Sequence, residues 1–383
     1  AYDVGSVDIE IADYMKLAIK AFQQALKIYT LEKYPRDYAK TLNYLGNAYR
    51  TLAEAEDRID NCKRAITALE NALKVITPEN SPDVYSEVQN NIGKVFLRLA
   101  EVENTVENCR KAVTAFEESL KYRNIADSPR AFAASQCNLG VAYRTLAEAE
   151  DILLNCKKAI EAYNKGLKIY NQAEFPVYYA SAKNNLGSAY LKLAEVENKV
   201  LNSSIAITAF EEALRIRTSE SFPLDYSMTQ NNLASAYFVL AENENKKINC
   251  KKAIRSFEES LKIRTLERFP IQYALTKFNL GHVYLSLAEE EDKSENCTKA
   301  IESFQESLKV RTLDKYPFLF AMSYYYLGKV YMLLTEVGNK SENYRKTIQS
   351  FDEALRVISE KDYPAYYEKI HNQIREAKKK MLA

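Results

Sequence analysis

Residues 35–57, "PRDYAKTLNYLGNAYRTLAEAED", and residues 58–76, "RIDNCKRAITALENALKVI", decide the fold. A leading proline suits the first position of a helix, where its missing N–H costs nothing. Tyr38, Leu42, Leu45, Tyr49 and Leu52 then step by three or four, giving one buried stripe of an amphipathic helix. Asp57 is of a type that tolerates the left-handed conformation at a helix end. Asn61 is expected to cap a second helix with its side-chain oxygen, along which Ala65, Leu69, Ala72 and Val75 form the stripe. The unit reads as a pair of helices.

The same unit recurs along the chain at an interval of 47 residues. Gly46, Gly93, Gly140, Gly187, Gly281 and Gly328 share one position, with Ala234 in the gap and Arg375 at the last point. Eight prolines share another, from Pro35 to Pro364. Cys62, Cys109, Cys156, Cys250 and Cys297 occupy a third, whose two remaining points hold Ser203 and Tyr344. Five cysteines behind five asparagines suggest thiol or metal chemistry. Neighbouring helices stand about 8–10 Å apart, however, too far for a disulfide, whose Cα atoms lie within about 7 Å, or for a shared zinc. The thiols are therefore expected to be structural, and Cys137 is a lone thiol in a first-type helix.

The pattern Leu45-Gly46-x-x-Tyr49, then Ala112-x-x-x-Phe116, with a proline before the next first helix, resembles the tetratricopeptide repeat. Two departures stand out. The period is 47 rather than the family's 34, and the family's Trp position holds Leu42, Gln89, Gln136, Lys183, Gln230, Lys277 and Tyr324. The resemblance implies an all-α α-solenoid, a right-handed superhelix of antiparallel helix pairs. The expected organisation is an N-terminal half repeat of one second-type helix (1–34, helical over 12–29), seven repeats (35–363) and a capping helix (364–383). Long-period arrays of this kind are implied to occur beside peptidase-like or nucleotide-switch modules in large prokaryotic proteins. A start at Ala1 in mid-pattern fits a segment of a longer protein. The recurring glycine predicts a close helix approach, because a mid-helix glycine costs about 1 kcal/mol against alanine; small residues at Ala72, Ser119, Gly166 and their equivalents are expected opposite it.

The 53 basic and 52 acidic residues nearly cancel, so neither nucleic acid nor an anionic membrane is expected as a partner. No apolar run approaches the roughly 20 residues of a membrane span, and a cytoplasmic location is expected. His282 and His371 lie about two repeats apart, no phosphate loop appears, and no catalytic set, metal site or cofactor is expected. The chain reads as a binding protein rather than an enzyme. By the resemblance, first-type helices line a concave groove, where Asn91, Asn138, Asn185, Asn232 and Asn279 form one column. A carboxamide offers both donor and acceptor to a peptide bond, so this column, with Lys94, Arg98 and Lys192, is expected to hold an extended peptide or protein segment. The alternative is that each Asn stiffens the stack. Toward the C-terminus the groove positions become apolar, through Met228, Leu275, Met322, Tyr326 and Leu333. The corresponding second function is docking to another domain of the parent protein, or self-association.

Overall fold

The computed structural model describes residues 4–382, with side chains from Ile11 onward. Sixteen α-helices and no strand occur among the described residues. They form two compact units, residues 1–198 and 199–383. The first holds α1 (Val4–Ile28), α2 (Pro35–Ala55), α3 (Arg58–Leu73), α4 (Pro82–Ala100), α5 (Thr105–Lys121), α6 (Pro129–Leu146), α7 (Ile152–Leu167) and α8 (Pro176–Leu193). The second holds α9 (Lys199–Leu214), α10 (Pro223–Ala241), α11 (Lys246–Leu261), α12 (Pro270–Ala288), α13 (Lys293–Leu308), α14 (Pro317–Leu334), α15 (Lys340–Leu355) and α16 (Pro364–Leu382). Every first-type helix opens on its proline, and the chain is an all-α helix-pair solenoid. Helix α1 starts well before residue 12, since no proline or turn sequence interrupts backbone hydrogen bonding ahead of it.

The turn between paired helices is made by one left-handed residue. Asp57, Asn104, Asp151, Asn198, Asn245 and Asp292 have φ between 38° and 49°. Such a residue reverses the chain within two positions, so α3 begins at Arg58 and Asn61 already lies inside it. The expected cap is thus incorrect in its sense. Asn61 Nδ2 donates to the carbonyl of Glu56 at 2.9 Å, and Asn108, Asn155, Asn249 and Asn296 make the same bond at 2.7–2.8 Å. Each carboxamide satisfies a carbonyl at the end of the preceding helix, one of the groups a helix leaves orphaned. Asn343 reaches Leu334 instead, after the extended residue Asn339. The repeated cysteines consequently sit a full turn inside their helices, fully buried.

The glycine position is indeed a close approach, but to a different residue than expected. A β-carbon on Gly46 would lie 2.6 Å from Leu69 Cγ, and one on Gly93 2.6 Å from Phe116 Cε1. Tyr163, Phe304 and Phe351 oppose Gly140, Gly281 and Gly328 in the same way. The large side chain of the paired helix, not the small one, fills the space. The small position packs elsewhere: Gly166 meets Cys137 Sγ and the Ala133 carbonyl of α6, while Ser119 Oγ donates to Ser86 O at 2.7 Å. Tyrosines add polar locks between second- and first-type helices, with Tyr143 Oη donating to Glu117 at 2.6 Å and Tyr237 to Glu211 at 2.7 Å.

In the second unit the apolar helix α14 is covered in part by α16. Met322 and Tyr325 join Phe351, Ile370 and Ile374 in one core, and Arg375 and Lys378 face solvent where other repeats carry Gly and Tyr. Along one edge of each unit the first residue of a second-type helix pairs with a glutamate of the next repeat. These pairs are Arg58–Glu101, Lys199–Glu242, Lys246–Glu289 and Lys293–Glu336.

Replacing Gly93 by Leu is expected to lower stability by about 1–3 kcal/mol or more through overpacking against Phe116. Chemical denaturation checks this, and an unchanged midpoint would remove the close-approach argument.

Candidate functional site

The candidate face is built by first-type helices, and each unit shows its own version. In the first unit the two adjacent asparagine positions are joined to each other. Asn91 Nδ2 donates to Asn43 Oδ1 at 2.9 Å, and Asn138 Nδ2 donates to Asn90 Oδ1 at 3.1 Å. The bonds run from each first-type helix to the one before it. Asn90 Oδ1 also accepts from Ser135 Oγ at 3.1 Å, and Ser135 accepts from Arg123 at 2.8 Å. A half-buried arginine is thereby tied through a hydroxyl to the asparagine column, which sequence reasoning missed because Arg123 lies beyond a second-type helix. Asn185 accepts from its neighbour Asn184 at 3.4 Å. Asn91 is buried, whereas Asn138 and Asn185 are half-buried.

The basic residues divide by partner. Arg98 is held by Glu54 and Glu101, and Lys192 by Glu195. Among the described residues Lys94 has no ion pair or hydrogen bond, although it is half-buried near Arg50, Arg123 and Glu87. Burial, reinforced by the two guanidinium charges, pushes its ammonium down to about 8. This is an accumulation of positive charge that the near-zero net charge of the chain conceals.

In the second unit Asn232 and Asn279 are half-buried, and Thr276 Oγ1 donates to Asn231 Oδ1 at 3.0 Å while accepting from Arg264 at 3.3 Å. Met228 and Leu275 are exposed and Tyr326 and Leu333 half-buried, but Met322 is only 8% exposed, because α16 covers it. Sequence reasoning overlooked Leu224, Ile271 and Phe318, four residues before Met228, Leu275 and Met322, all of which are exposed. Their place directly after the helix-opening proline hid them; their repetition on three first-type helices could have revealed them.

The thiols offer no reactive group. Burial pushes Cys62, Cys109, Cys156 and Cys297 up to about 11 and Cys137 up to about 12. No cluster of three His, Cys, Asp or Glu residues able to hold a metal occurs among the described residues. No described helix is long and apolar enough to cross a membrane.

The Lys94 environment has a measurable signature. Its folded pKa lies below the unfolded value of 10.5, so the unfolded chain binds more protons between about pH 8 and 10.5. The lysine's contribution to stability therefore rises with pH across that window. The stability of the wild type relative to Lys94→Met, followed by denaturant melts, is expected to climb there; a flat difference would place the ammonium in ordinary solvent.

No protein-family model matches the chain, and no curated protein matches it by sequence. Solved structures do. The Signal Transduction ATPase with Numerous Domains (STAND) protein PH0952 of Pyrococcus horikoshii, described with a tetratricopeptide repeat sensor, superposes with a TM-score of 0.54 at 16% identity. The match covers 98% of this chain, which spans about half (55%) of that protein's length. The apo form of RapI gives a TM-score of 0.50 at 15% identity, covering 98% of both chains. Human IFIT1, solved as a dimer with PPP-AAAA, aligns over all of this chain and 88% of its own at a TM-score of 0.42 and 15% identity. That RNA-bound structure corrects the expectation that nucleic acid is excluded. Net charge is a sum over the whole chain, and it says nothing of local groups such as Lys94, Arg50 and Arg123. The sixteen described helices, with seven pairs between α1 and α16, and the superpositions on PH0952 and RapI give the chain the fold of the tetratricopeptide-repeat proteins.

Proposed function

We propose that this chain is a non-enzymatic interaction scaffold that holds an extended peptide or protein segment along its first-type helices. The observation that carries the reading is the half-buried polar column with hydrogen-bonding capacity to spare. A carboxamide has two N–H groups and an oxygen with two lone pairs, and the inter-repeat bond of Asn138 uses one N–H. The same side chains can therefore stiffen the stack and meet a peptide backbone. Lys94 adds an ammonium with no hydrogen bond or ion pair among the described residues. Asn185, Asn232 and Asn279 complete the proposed contact, with Arg98 and Lys192 at its margin and Asn91, buried against Asn43, supporting the column from within. PH0952, whose repeats are described as a sensor, is an example of such a fold in a recognition role.

A second reading, docking of a folded domain or a second copy, is favoured by the exposed residues Leu224, Met228, Ile271, Leu275 and Phe318. Contiguous exposed apolar side chains on successive helices are the ordinary mark of an interface. Tyr326 and Leu333 would border that patch; Met322 would support it from beneath.

The two readings separate in one experiment with a peptide selected on the wild-type chain from a random library. Changing Asn138, Asn185 and Asn232 together to Ala is expected to weaken it by a few kcal/mol, each hydrogen bond being worth about 0.5–1.5, with the melting temperature nearly kept. Changing Leu224 and Ile271 to Lys should leave that affinity alone. Normal binding with early melting in the asparagine variant would make the column purely structural and end the first reading.

A further inference from the structure

In the second unit one arginine breaks the pattern of its equivalents. Arg217 and Arg264 each donate to a threonine hydroxyl on the following first-type helix, Thr229 at 3.0 Å and Thr276 at 3.3 Å. Arg311 has the corresponding hydroxyl in Ser323, which donates to the Leu319 carbonyl as Thr229 and Thr276 donate to Asp225 and Gln272, but no hydrogen bond from Arg311 to Ser323 occurs among the described residues. Where the earlier repeats carry Asn90 or Asn231, this one carries Phe278, and the Arg311 guanidinium lies over that ring at 4.2 Å. Arg311 is 4% exposed, and its Nη1 is buried without a partner.

The surroundings are equally unpaired. His282, one turn along α12 from Phe278, has a buried Nε2 with no hydrogen bond. Its ring lies 3.7 Å from that of Tyr326 and 4.6 Å from that of Phe278. Lys329 sits over Tyr326 at 5.4 Å and makes no ion pair with any described residue. Both Lys329 and Arg311 act electrostatically on His282, and no carboxylate acts on either His282 or Arg311. Two cations and an imidazole thus meet among aromatic rings without a counter-ion, an arrangement that is costly unless an anion completes it.

We infer that Arg311, His282 and Lys329 form a carboxylate site whose aromatic walls, Phe278 and Tyr326, take the apolar body that carries the carboxylate. Tyr326 lies on the half-buried side of the cluster, and its rotation away from His282 opens the way to both buried nitrogens. The carboxylate accepts from Arg311 and Lys329, and its apolar body replaces Tyr326 against Phe278. Two sources share this chemistry: the C-terminus of a bound segment ending in an apolar residue, and a free aromatic acid. The inference deepens the peptide-binding reading, but it does not use the asparagine column.

The chain has two histidines, so the imidazole signals of His282 can be assigned by comparison with His371→Gln and followed by NMR. The probes are phenylacetate, the peptide acetyl-Ala-Ala-Leu-Phe as the free acid, and its C-terminal amide. A shift of the His282 signals by the free acid, with at least tenfold weaker binding of the amide, is expected for a segment terminus. A shift by phenylacetate alone assigns the free acid and equally supports the site. Arg311→Met should abolish both responses. Phe278→Asn, which installs the residue used at the equivalent positions and so preserves folding, should abolish them too. Unmoved His282 signals with every probe, equal binding of acid and amide, or full binding by a folded Phe278→Asn variant would each overturn the inference. Normal library-peptide binding by an early-melting asparagine variant, with the phenylacetate response intact, would reject the column and leave this site standing.

Discussion

A side chain standing where a β-carbon would be sets the geometry of each helix pair. Leu69, Phe116, Tyr163, Phe304 and Phe351 all press against a glycine backbone closely enough that any other residue there must displace them. Glycine weakens a helix by about 1 kcal/mol, whereas fully burying a large apolar side chain gains about 1.5–3 kcal/mol. The exchange is favourable at these five pairs, and it fixes the depth to which one helix sinks into its partner. Ala234, fully buried at the equivalent point of the second unit, shows that one repeat accommodates a methyl group there.

With that distance set, the polar side chains fall into relays. Arginines beyond the second-type helices reach hydroxyls on the following first-type helix, and those hydroxyls reach the asparagines. The asparagines are consequently shared between holding the stack and lining its face. A residue in both roles resists simple interpretation by mutation, and melting and binding must be read together. Where Phe278 replaces an asparagine the relay ends, and the charge it would have served is left with an aromatic ring alone.

Much of the fold was legible. The prolines mark helix starts, the Asp and Asn residues mark left-handed turns, and the apolar stripes mark the buried faces. What could not be read was the direction of side-chain contacts. Asn61 was expected to accept and instead donates, because the helix begins earlier than its cap-like position suggests. The partner of Gly46 was sought among small residues and proved to be Leu69. The candidate face was only partly visible. The asparagine column is explicit in the sequence, but the proximity of Arg50 and Arg123 to Lys94 and of Arg311 to His282 depends on packing across elements. The burial of Met322 depends on α16.

The ion pairs along the edge of each unit give the stack two unlike seams. One is dry and short-ranged: its contacts vanish within an ångström of separation, and salt leaves them unchanged. The other, made by exposed pairs such as Arg58–Glu101 and Lys246–Glu289, is individually weak and is screened over about 8 Å at physiological ionic strength. Within each unit, then, a rise in ionic strength weakens the charged contacts between successive repeats and leaves the glycine contacts inside each helix pair as they were.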